Sequence, residues 1–123
     1  QMCIRDRLSS TETDMAKAFL WESDSSLIHT NAMMITSTGQ TDSNISPLKS
    51  MQKIYDNITD DVEKVLARRN DCDHGEMLYY ADGYVTAWFM YYLKGDTEAG
   101  NAFFGENAEI NSNPLYQDVL VHQ

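Results

Sequence analysis

The sequence predicts an α/β fold with parallel strands. Two short apolar runs, residues 32–39 (AMMITSTG) and 63–69 (EKVLARR), read as buried strands. Each is followed by a polar loop, and each loop leads towards a helical pattern, so the order is strand, loop, helix, strand, loop, helix. Strands that alternate with helices in this way lie parallel, because the crossover helix returns the chain to the same edge. A parallel sheet is normally covered on both faces, and two strands make a poor one. The chain therefore reads as the end piece of a larger, incomplete sheet, with an exposed apolar face where further strands would dock.

The elements follow in order. A short helix is predicted over 12–21, with Ala16, Phe19 and Leu20 on one side and Thr11 as its N-cap, before ESDSS (22–26) breaks it. The first strand ends at Gly39, and QTDSNISP (40–47) is a loop of turn formers. Ser46 suits a cap and Pro47 a first helical position. Leu48, Met51, Ile54, Tyr55 and Ile58 recur at helical spacing, which predicts an amphipathic helix over 47–58, ended by TDD (59–61). Val65, Leu66 and Ala67 form the apolar centre of the second strand. NDCDHGE (70–76) is a second polar loop. Residues 78–94 form a helix that carries only Asp82 and Lys94 as charges, with Gly95 as its stop and Lys94 well placed in the last turn. Its aromatic residues between Tyr79 and Tyr92 cover two faces, as in a helix buried on more than one side. A last short helix is predicted over 97–104, and 105–123 is a tail with one apolar patch, Leu115 to Val121.

Composition narrows the function classes. A chain of 123 residues with 42% hydrophobic residues is one domain at most. The net charge of −10, from 9 basic against 19 acidic residues, argues against nucleic acid and anionic membrane surfaces as partners. No apolar run approaches the roughly 20 residues of a membrane span. The two cysteines, Cys3 and Cys72, make neither a C-x-x-C pair nor a disulfide framework, and Cys72 is expected to be a free thiol.

Both polar loops follow the C-terminal end of a predicted strand, the edge where open α/β sheets bind ligands. The first offers Asp42 and the second His74. A histidine general base works best when a carboxylate holds one ring nitrogen, fixing the tautomer and stabilising the imidazolium. Asp73 is adjacent in sequence and expected to point away from the ring, so Asp42, on the neighbouring strand's loop, is the better partner. The two side chains are expected within hydrogen-bond reach. Asp71, Asp73, His74 and Glu76 also compose a possible metal cluster, but no second histidine lies near and calcium-loop spacing is lacking. Asn57-Ile58-Thr59 matches a frequent glycosylation pattern, and His29 and His122 have no supporting context.

The segment TGQTDSNISP resembles the strand-end turn G-x-x-D-x-x-[IV]-x-P that carries the acid in many α/β-hydrolases, the dienelactone-hydrolase-like esterases among them. DCDHGEM followed by a long helix is similar to their catalytic-histidine loop. The resemblance spans roughly residues 30–95 and implies the last two parallel strands and helices of that fold, with Asp42 as the acid and His74 as the base. It also implies a serine nucleophile earlier in the chain, in a G-x-S-x-G turn, a motif this sequence lacks. QMCIRDR (1–7) resembles translated sequencing-adapter read-through from metagenome assemblies. Residues 1–7 are thus expected to be non-native, and 8–123 the C-terminal portion of a single hydrolase domain. The expected activity is hydrolysis of small carboxylic esters by the parent protein, without a cofactor or metal, the fragment alone being inactive. Two alternatives stay open: a non-catalytic binding or structural member of the same fold, and a small acidic interaction domain. Oligomeric state is open, and a cytoplasmic location is slightly favoured over secretion.

Overall fold

A computed structural model describes residues 24–123 of the protein. The helix expected over 12–21 and the segment 1–7 lie outside the described residues. The elements run β1 (Ala32–Ser37), α1 (Gln40–Ile45), α2 (Leu48–Asn57), β2 (Lys64–Arg69), a 3-10 turn (His74–Glu76), α3 (Met77–Tyr80), α4 (Asp82–Lys94), α5 (Thr97–Gly100), α6 (Glu109–Ser112) and β3 (Tyr116–His122). Among the described residues these build an α/β unit with a three-stranded mixed sheet, in the order β1-β2-β3. The β1–β2 pair is parallel, in register from Ala32 opposite Lys64 to Ser37 opposite Arg69.

The two strands are buried on both faces because their alternate residues serve different cores. Ala32, Met34 and Leu66 pack with Met51, Ile54, Tyr55 and Ile58 of the α2 side. Met33, Ile35, Val65 and Ala67 pack on the opposite side, with Tyr84 and Trp88 of α4 and with Phe103 and Phe104. Trp88 is the centre of that second core, with ring centroids 5.2 Å from Phe103 and 4.6 Å from Tyr92. All six residues of β1 are buried.

Four expectations need correction. The tail contains a strand, β3, which pairs antiparallel with β2, so the sheet is not made of parallel strands alone. Its alternation is interrupted where Asp118 and Val119 stand opposite the single Ala67, and Asp118 takes a positive φ of 53°. The loop 40–47 contains the short helix α1. The helix expected over 78–94 begins at Met77 and is broken at Ala81, so that α3 and α4 are separate. The stop at Gly95 is as expected, with φ of 70° in the left-handed region. Pro47 stands at the N-cap of α2, one position before the expected one.

Candidate functional site

The site lies where β1 and β2 end side by side. Asp42 sits in the first turn of α1, just past β1, and is 2% exposed. His74 opens the 3-10 turn past β2 and its side chain is half exposed. Parallel neighbours deliver both loops to the same edge, and Asp42 Oδ1 lies 2.5 Å from His74 Nδ1. The second carboxylate oxygen of Asp42 accepts the N–H of Ser37 at 2.7 Å. A carboxylate only accepts, so the short contact puts a proton on Nδ1, and in the neutral ring the lone pair is then on Nε2. Among the described residues, no group bonds Nε2.

Asp73 does more than precede the histidine. Its side chain accepts from the N–H groups of Thr41 and Asp42, each at 3.1 Å, and from that of His74 at 2.8 Å. It therefore holds the start of α1 and the start of the histidine turn with one carboxylate. The Thr41 hydroxyl first, then the His74 N–H, hold this carboxyl down to about 2. Glu76 completes the arrangement by accepting from the Asp73 N–H at 2.9 Å, a capping box. The approach is so close that a Cβ on Gly39 would come within 2.5 Å of the Asp73 carboxyl. Sequence reasoning cast Asp73 as pointing away from the ring and missed this brace. The signal was present in the D-x-x-E spacing of Asp73 and Glu76.

A cavity of about 230 Å³ opens beside the pair, walled by Ile35, Met77 and Leu78 and edged by Thr36, His74 and Gly75. The Thr36 hydroxyl is buried there without a hydrogen-bond partner. Cys72 is a free, buried thiol whose Sγ lies 3.8 Å from the Arg69 carbonyl oxygen, and burial pushes its pKa up. It is thus a poor thiolate nucleophile despite its place in the loop. Of the carboxylates weighed as metal ligands, Asp73 and Glu76 are occupied by backbone N–H groups, and among the described residues no three His, Cys, Asp or Glu side chains form a metal-holding group. No helix among the described residues is long and apolar enough to cross a membrane.

No protein-family model matches the chain, and no curated protein matches it in sequence.

Proposed function

We propose that this chain supplies the acid and the base of a serine hydrolase acting on small carboxylic esters. Asp42 is the acid and His74 the base, and the nucleophilic serine comes from sequence upstream of residue 8. The observation that carries this reading is the 2.5 Å contact between a buried carboxylate and the Nδ1 of a half-exposed histidine. The likeness of TGQTDSNISP and DCDHGEM to the acid and histidine loops of α/β-hydrolases supports it, as does their order along the chain.

In this scheme His74 Nε2 takes the serine proton during attack on the ester carbonyl and returns it to the departing alkoxide. Asp42 keeps the proton on Nδ1 and stabilises the imidazolium between those steps. The Ser37 N–H holds the carboxylate in place, and Asp73 fixes the spacing of the two loops. The acyl-enzyme is then hydrolysed by water activated in the same way, and no cofactor enters the chemistry. The test is turnover of p-nitrophenyl esters by the protein encoded with its upstream sequence, followed by His74→Ala. Loss of turnover on the order of 10³-fold or more is expected. Unchanged turnover would remove His74 from the mechanism, and an inactive parent would favour a non-catalytic member of the same fold.

A further inference from the structure

A second cavity, of about 300 Å³, lies against α4, α6 and the start of β3, and shares no lining residue with the cavity beside His74. Its wall includes Arg69, the last residue of β2, which is only 8% exposed. Buried charges are normally paired, because desolvation of an isolated ion is costly. Among the described residues, no carboxylate lies within ion-pair distance of this guanidinium. Its Nη1 donates to the Asn70 carbonyl at 2.6 Å, and its central carbon lies 5.1 Å and 5.7 Å from the rings of Tyr80 and Tyr116. One carbonyl and two aromatic faces leave most of the five guanidinium donors without a protein acceptor, and those nitrogens are not sealed from solvent.

The other polar groups of the wall are largely committed to one another. Tyr84 donates to Glu109 at 3.2 Å and accepts from the Asn113 amide at 2.9 Å. Gly83, on the same wall, is an exposed residue of α4, and a Cβ there would meet nothing within 4 Å, so the wall accepts a larger side chain at this position.

We propose that the cavity binds a small monocarboxylate with an apolar body. The carboxylate would take the open fork of Arg69, which suits planar bidentate recognition. The apolar body would lie against the rings of Tyr80 and Tyr116. Glu109 on the same wall repels a second negative charge, which selects against dianions such as phosphate.

Sodium benzoate is the probe, titrated into the isotope-labelled protein by NMR, with benzyl alcohol as the uncharged control. Saturable shifts at Tyr80, Gly83 and Tyr116 are expected, with benzyl alcohol binding at least tenfold more weakly. Gly83→Leu adds bulk to the cavity wall at an exposed position, where no neighbour is displaced, and should weaken benzoate at least tenfold, as should Arg69→Gln. Glu109→Gln should tighten it. Because Arg69→Gln also removes the guanidinium packed against the rings of Tyr80 and Tyr116, Gly83→Leu carries the decision. Shifts that do not saturate, equal binding of benzyl alcohol, or undiminished binding by Gly83→Leu overturn the proposal.

Discussion

The two ends of β2 each carry an acid–base pair, built in opposite senses. At the start of the strand the cation is buried and the acid is outside: the side chain of Lys64 is 3% exposed and that of Asp60 is 80% exposed. Beyond its end the acid is buried and the base is outside, with Asp42 at 3% and His74 at 53%. Lys64 donates to the carbonyl oxygens of Tyr55 and Ile58 at 3.0 Å and 2.6 Å, and to Asp60 at 2.9 Å. All of its donors are used, two of them on the end of α2, so the pair is closed and holds a helix terminus to the sheet. Asp42 is anchored just as firmly, but its partner keeps a ring nitrogen open beside a cavity. An acid–base pair whose every donor is used is structural, and one that keeps a basic atom free has the parts for proton transfer.

This contrast can be broken by substitution. On the proposed function, the largest expected effect is that of Asp42→Asn on ester turnover by the protein encoded with its upstream sequence. The amide removes the carboxylate that sets the tautomer, and kcat should fall on the order of 10⁴-fold while the fold persists. A fall of less than tenfold would mean that the two pairs do not differ in kind. Lys64→Met should do the reverse. Two buried carbonyls lose their donor, which costs about 1–3 kcal/mol in chemical denaturation, while kcat per folded molecule is unchanged. Equal loss of turnover in that variant would contradict the division. Asp60→Asn should lower the melting temperature by less than Lys64→Met, since the ammonium keeps both carbonyls and the acid is at the surface.

The smallest effect is a pH dependence. Asp73 is lowered from 3.8 to about 2 in the folded protein. A depressed carboxyl stabilises the fold fully above its unfolded value, and that contribution is lost as pH falls through the folded one. The Thr41 and Asp42 amide resonances should therefore titrate together with a midpoint near 2, and not near 4. Separate midpoints for the two amides would show that one carboxylate does not hold both.

The parallel pair was legible because both strands have an apolar centre and end in polar loops. Asp42 and His74 were legible because such loops meet at one edge. The helix α1 was not, since QTDSNI is rich in turn formers, and the carboxylate that satisfies its first N–H groups lies 31 residues further on. Strand β3 was hidden by its own irregularity, the unpaired position at Asp118 that interrupts its alternation. Lys64 defied its residue type: lysine is almost never fully buried unless paired, and its partners are carbonyls that no pattern in the sequence reveals.

The contact between Gly39 and Asp73 bears on how this sequence can drift. A methyl group at position 39 would overlap the Asp73 carboxyl, so Gly39→Ala is tolerated only after position 73 has shrunk. Shrinking position 73 first, by Asp73→Gly, sacrifices the brace but opens the room. The two positions form an epistatic pair in which the order of mutation matters: one path passes through a weakened intermediate, the other through a blocked one. Descendants of this sequence should change at 39 only in lineages already altered at 73.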